Sequence, residues 1–189
     1  MKVDLPDHHR RSVRLKGYDY SQAGAYFITI VTWQRLMLFG KIENGGMQIN
    51  RYGEIVQKWW DKIPEHFPNA ETGAFIIMPN HVHGIIIITD GRGTVSVPHI
   101  VAKTQMDGIE HQGGGTPPLR KPRLGQIVAY FKYQSTREIN IMDGGRIAKL
   151  WQRNYYEHIL RDEHEMENTW NYIRSNPGMW ALDEENPLK

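Results

Sequence analysis

His81 and His83, separated only by Val82, could bring two imidazoles to one side of an extended chain. Side chains alternate along a strand, so residues two apart emerge on one face about 7 Å apart at the backbone, close enough to converge on one metal ion. The pair lies inside the apolar stretch Phe75–Ile88, which reads as buried strand; Pro79-Asn80 interrupts it, so two strand pieces or a bulge are expected. Two histidines that merely satisfy local hydrogen bonds at a sheet edge are the bland alternative. Against it weighs the desolvation of polar rings in a β-branched run, which hydrogen bonds or a metal must offset.

A second group lies near the C-terminus. Tyr172 and Asn176 are four residues apart, so on a helix they share a face one turn from each other, while Met166, Trp170 and Ile173 form a different, apolar stripe suited to packing. A tyrosine and an amide at this spacing are common and assign no role by themselves.

The elements that must position these groups follow from periodicity and punctuation. Ala25–Thr32 is β-branched and aromatic and reads as a first strand; Met37–Phe39 and Gly46–Ile49 read as short strands around Glu43-Asn44-Gly45. Ile55, Val56, Trp59, Trp60 and Ile63 recur at helical spacing and predict a helix over 51–66, with Pro68 at its exit. Leu124, Ile127, Val128 and Phe131 predict another over 124–139. Asp162 with Glu165 fits the capping box of a last helix ending near Ser175, before Asn176-Pro177-Gly178. Strands early, with helices between and after them, indicate an α+β fold.

At 189 residues the chain suits one domain over 1–189, with a Gly/Pro-rich insertion at about 90–118 and an acidic C-terminal tail at about 180–189. The absence of cysteine excludes disulfides, thiolate metal sites and cysteine catalysis. No segment has the pattern of a signal peptide or a membrane span, so a soluble, cytoplasmic protein is expected. The net charge of +2 hides a polarity: residues 162–189 carry seven acidic and two basic residues, leaving 21 basic against 14 acidic before them. Basic residues cluster at Arg10, Arg11, Arg14 and Lys16 and at Arg120, Lys121 and Arg123, and Lys132 and Arg153 follow beside aromatic segments. Such clusters neutralise phosphates, and exposed bases stack on aromatic faces, so these nine residues are candidates for DNA contact.

Three blocks in order, Met78-Pro79-Asn80-His81-Val82-His83-Gly84, Leu150-Trp151-Gln152-Arg153-Asn154-Tyr155-Tyr156 with Glu157–Glu163, and Tyr172-Ile173 with Asn176-Pro177, resemble the REP-associated tyrosine transposases of the single-tyrosine HUH superfamily. With Gly17-Tyr18-Asp19-Tyr20 and the first strand, the resemblance covers most of the chain outside the glycine-rich insertion. It implies a ferredoxin-like domain, a central antiparallel sheet with helices against it. The activity it implies is cleavage and joining of single-stranded DNA at repetitive hairpins, in the bacterial nucleoid, by a monomer or homodimer. By the same resemblance Tyr172 would be the nucleophile, and His81, His83 and Asn176 would hold Mg²⁺ or Mn²⁺, a choice that suits mixed nitrogen and oxygen donors. Tyr155 and Tyr156 compete for the nucleophile's role, and His158 and His164 are further ligands by composition only. The alternative function is a non-catalytic module that binds single-stranded nucleic acid on its sheet.

Overall fold

The computed structural model describes residues 18–89 and 122–188. The glycine-rich insertion and the basic residues Arg10, Arg11, Arg14, Lys16, Arg120 and Lys121 lie outside the described residues, as do His99 and His111.

The first strand, β1, spans Gly24–Val31. A small hairpin follows, β2 (Gly40–Glu43) and β3 (Gly46–Ile49), joined by Asn44 and Gly45 at φ 52° and 74°. Two successive left-handed residues match the right-handed twist of the flanking strands, which is why Asn-Gly serves here. Met37–Phe39 is therefore not a strand. Phe39 is fully buried, and its backbone N–H donates to the Pro79 carbonyl.

Helix α1 covers Arg51–Asp61, and Asn50 caps it by accepting from the amides of Tyr52 and Gly53. The single helix expected over 51–66 is broken: Lys62 separates α1 from the short α2, Ile63–His66, which carries Pro64 in its first turn. Proline lacks the amide that would continue the ladder.

Strands β4 (Ala70–Ile77) and β5 (His81–Ile88) then pair antiparallel around a tight turn closed by the Met78 amide donating to the His81 carbonyl. The interruption at Pro79-Asn80 is thus a hairpin, and a register shift between Thr72 and Phe75 adds a bulge. Helix α3 runs Leu124–Met142, and β6 covers Tyr156–Leu160. Helix α4 spans Glu163–Ser175 and passes into a 3₁₀ segment, Asn176–Leu182. Asp162 accepts from the Glu165 amide as expected of a capping box, while the Glu165 carboxylate returns to the Arg161 amide.

β1, β4, β5 and β6 form one antiparallel sheet in the order β4-β5-β1-β6. With α1 and α3 as the crossovers, this is the βαββαβ ferredoxin-like arrangement. One face, carrying Tyr26, Ile28, Ile30, Val82 and Ile86, packs with Trp60 of α1 and Phe131 of α3 in the main core. The other, carrying Ala25, Ile85 and Ile87, packs beneath Ile173 and Met166 of α4. Trp170, expected in that stripe, is instead 41% exposed with the Arg174 guanidinium over its ring.

Candidate active site

Alternation along β5 sends Val82 into the main core and both histidines to the α4 face. Their Nε2 atoms are 2.9 Å apart and both rings are buried. Each ring is held from behind. Thr29, directly across on β1, bonds His83 Nδ1 through its hydroxyl at 2.8 Å, and Asn80 Oδ1 lies 2.8 Å from His81 Nδ1.

Asn80 settles the state of His81. Its Nδ2 donates to two backbone carbonyls, those of Glu185 at 2.7 Å and Arg35 at 3.2 Å. Carbonyls only accept, so the amide orientation is fixed and its oxygen faces the imidazole. An oxygen only accepts as well. His81 therefore carries its proton on Nδ1 and turns a bare Nε2 lone pair toward His83. Without a cation, His83 must place its own proton between the two nitrogens and accept from Thr29. With one, His83 takes the other tautomer and donates to the Thr29 hydroxyl, which serves in either role.

Burial holds both rings neutral. Desolvation, assisted by the Arg35 charge, lowers the His81 pKa to about 3. Desolvation and then His81 push His83 well below the usual imidazole range, with Asp183 acting in the opposite direction.

Helix α4 brings Tyr172 over the pair. Its hydroxyl is 3.3 Å from His83 Nε2, and its ring meets His83 and Phe27 edge-on. The tyrosine remains 47% exposed, open to a ligand arriving from solvent. Desolvation raises its pKa, the carboxylate of Asp183 adds to this, and a hydrogen bond with Asn176 opposes it. One turn on, Asn176 is buried and its Oδ1 has no hydrogen-bond partner among the described residues. Leaving a buried acceptor unpaired costs about 1–3 kcal/mol, so it calls for a donor or a cation.

Asp183 is the residue that sequence reasoning missed. Its Oδ2 lies 3.8 Å from His81 Nε2, so that one ligand atom from each of His81, His83 and Asp183 falls within a 4.8 Å cluster. A backbone detour places it: the Asp183 carboxylate accepts from the Glu185 amide, and the Arg35 Nε donates to the buried Glu185 carboxylate at 2.9 Å. Arg35 and Gln34 reach this position with φ of 55° and 53°, a left-handed pair unusual for non-glycine residues. The acidic end is accordingly packed against the histidine pair through Asp183 and Glu185.

The donor set fits a hard divalent cation. Two nitrogens about 3 Å apart can occupy adjacent corners of an octahedron with ~2.1 Å bonds, and the Asp183 carboxylate makes a third potential ligand. The other candidates lie elsewhere. Tyr156 is exposed beside Phe27, and Tyr155 packs against the main core. His158 faces Glu165 at 3.6 Å, and His164 bonds Asn168 on its own helix. Of the basic candidates, Arg123 caps α3, and the Lys132 ammonium donates to the carbonyls of Gln152 and Arg153.

No family model matches the chain. An uncharacterised protein of Haemophilus influenzae is 42% identical over 184 residues, spanning 97% of this chain and 96% of that protein. A putative REP-associated tyrosine transposase of the same organism is 25% identical over 159 residues, spanning 84% of this chain and 73% of its own. Among solved structures, a REP-associated tyrosine transposase bound to a REP hairpin matches with a TM-score of 0.54 and 17% identity, over 88% of this chain and 73% of that one, a likeness of fold. Among the described residues no helix is long and apolar enough to cross a membrane.

Proposed function

The chain belongs to one family with the uncharacterised Haemophilus influenzae protein and is a more distant relative of the REP-associated tyrosine transposases, and from that kinship we propose a metal-dependent nuclease and strand transferase acting on single-stranded DNA at hairpins. One observation carries the reading: a half-exposed tyrosine hydroxyl lies 3.3 Å from His83 of a buried histidine pair, one helical turn from an amide oxygen with no hydrogen-bond partner among the described residues.

His81 Nε2, His83 Nε2 and Asn176 Oδ1 would hold the cation, with the Asp183 carboxylate as a further oxygen. When bound, a divalent ion supplies charge withdrawal from an oxygen of the scissile phosphate. The chain's own residues do the rest. Thr29 and Asn80 keep both lone pairs directed at one point, and Phe27 and His83 hold the Tyr172 ring edge-on, so that its oxygen is positioned before DNA arrives. The tyrosine must lose a proton that burial makes harder to remove, and the Asn176 contact favours the phenolate. No carboxylate or imidazole other than those of the metal set is within hydrogen-bond distance of its hydroxyl among the described residues, so the proton leaves to solvent or to a metal-set group.

Attack by Tyr172 Oη on phosphorus forms a phosphotyrosine at the 5′ side and breaks the bond to the 3′ oxygen, which departs with its electron pair and takes up a proton. The phosphoester is conserved in the link, so a DNA 3′-hydroxyl can reverse the step and join strands without ATP. We read the site as assembled within one chain, a reading supported by the contact between Tyr172 and His83 of the same chain.

The test is a labelled single-stranded hairpin with a flanking strand, incubated with the protein and Mn²⁺ or Mg²⁺. A denaturation-resistant adduct mapping to Tyr172 by mass spectrometry is expected. Hairpin binding without adduct in either metal would favour the non-catalytic binding module, and cleavage without adduct a hydrolase using water.

A further inference from the structure

A cleft of about 480 Å³ lies between the C-terminal half of α3 and residues 149–153. Lys132, Tyr133, Arg137, Lys149, Trp151 and Arg153 form much of its wall, and among the described residues no carboxylate lines it. Arg137, Lys149 and Arg153 are exposed, and none is in an ion pair among the described residues. Lys58 on α1 is different, being paired with Glu138. Lys149 is held at the rim 4.4 Å from the Trp33 ring centre, an arrangement that fixes a charge without neutralising it. Polar Thr136, Asn140 and Gln152 stand among the cations, and the Asn140 Oδ1 is buried without a hydrogen-bond partner among the described residues.

The cleft connects to the histidine pair through two residues, Thr32 and Asn80. Trp151 bridges Thr32, the Trp33 amide donates to the Leu150 carbonyl, and the Gln152 amide donates to the Val31 carbonyl. On its other side Thr32 donates its amide to the carbonyl of Asn80, the neighbour of His81. A polymer engaged at Tyr172 and extending past the end of β1 would meet the cleft next.

We infer that this cleft is a second contact site for nucleic acid, in which Arg137, Lys149 and Arg153 grip backbone phosphates of the DNA whose scissile phosphate occupies the Tyr172 site. The inference rests on the function proposed above. Lys132 organises the cleft rather than facing the ligand, because its ammonium clamps the carbonyls of Gln152 and Arg153 and so fixes the wall that bears Arg153. Its desolvation, which lowers its pKa to about 8, agrees with that inward role. The shared chemistry is the phosphodiester, and two sources exist: the paired stem of a hairpin or the single strand beside it.

The experiment compares the wild-type protein with the triple variant Arg137→Gln, Lys149→Gln, Arg153→Gln. Binding is measured across salt concentrations for a blunt hairpin and for an unstructured strand, with circular dichroism and Mn²⁺ calorimetry as controls on fold and histidine site. Three lost phosphate contacts should flatten the slope of log K against log salt by about 2.7 on duplex or about 2 on a single strand, and weaken binding at least tenfold near 0.1 M salt. The effect on the hairpin alone assigns the stem, and on the strand alone the flank. If the triple variant does not fold, Arg137→Gln and Lys149→Gln singly should each flatten the slope by about 0.7–0.9. Slopes and affinities unchanged on both DNAs in a folded variant overturn the inference. Wild-type protein that binds neither DNA overturns the proposed function itself.

Discussion

Along β5, Val82, Ile86 and Ile88 face α1 and α3, whereas His81, His83, Ile85 and Ile87 face α4; all eight residues of the strand are buried. On the first face every group has an apolar neighbour. Trp60 stacks on Phe75 at 4.2 Å directly over Gly84, where a side chain would collide. On the second face two imidazoles and a carboxylate converge, and the buried Asn176 oxygen at the end of α4 lacks a hydrogen-bond partner among the described residues. The contrast teaches a division of labour. One side of a shared sheet supplies stability, so the other can carry polar groups whose burial costs free energy.

The largest expected effect lies on the polar side. Tyr172→Phe should reduce adduct formation and strand cleavage by ~10³-fold or more, since it deletes the attacking atom. It should change unfolding free energy by less than about 1 kcal/mol, because the lost hydroxyl makes a long 3.3 Å contact with His83 and one hydrogen bond with Asn176 at a half-exposed position. Assaying adduct on denaturing gels beside a urea melt separates the two readouts. Persistent adduct would transfer the nucleophile's role to another tyrosine.

Gly84→Ala tests the packed side. The added Cβ would lie 2.4 Å and 2.6 Å from Trp60 ring carbons and 3.0 Å from Phe75, and a stacked indole has nowhere to retreat. A loss of about 2–3 kcal/mol in urea unfolding is expected from such overpacking. A variant as stable as the parent would show that this core is looser than its partner face.

Asn176→Leu sharpens the comparison by crossing it. Replacing a buried, unpaired acceptor with an apolar group of similar size should raise the stability of metal-free protein by about 1 kcal/mol while weakening Mn²⁺ binding about 10- to 100-fold. Thermal melts with and without Mn²⁺ read both. Lower stability without metal would mean that the amide is already satisfied in solution.

How much of this was legible in the sequence depended on whether a residue's neighbours lay on its own element. The histidine pair was readable because strand alternation alone places both rings together, and Asp162 announced α4 by a local cap. Tyr172 and Asn176 shared a helix face by spacing, although only packing shows which way that face turns. β6 escaped notice: it is a five-residue edge strand in which Glu157 and His158 blur the alternation. Trp170 was misplaced because hydrophobicity does not reveal that an arginine one turn on can cover an exposed ring. Asp183 had no local signal at all. Its position depends on Arg35, 148 positions away, adopting a left-handed backbone and holding Glu185.

That dependence makes Asp183 the mildest and most discriminating probe of the polar face. Asp183→Asn preserves shape, and the new amide oxygen can still accept from the Glu185 amide as the carboxylate does at 2.7 Å. What changes is the atom facing His81 Nε2, now 3.8 Å away as a carboxylate oxygen. An NH₂ there cannot ligate a cation, and in metal-free protein the His81 lone pair already accepts from His83, so no hydrogen bond is lost and stability should be kept. Mn²⁺ affinity by calorimetry should fall about tenfold, less than for either histidine change, because one oxygen of several is lost while both nitrogens remain. His81→Ala in parallel sets the scale. Undiminished Mn²⁺ affinity in Asp183→Asn would remove Asp183 from the donor set and leave the carboxylate only its turn-forming role beside Glu185.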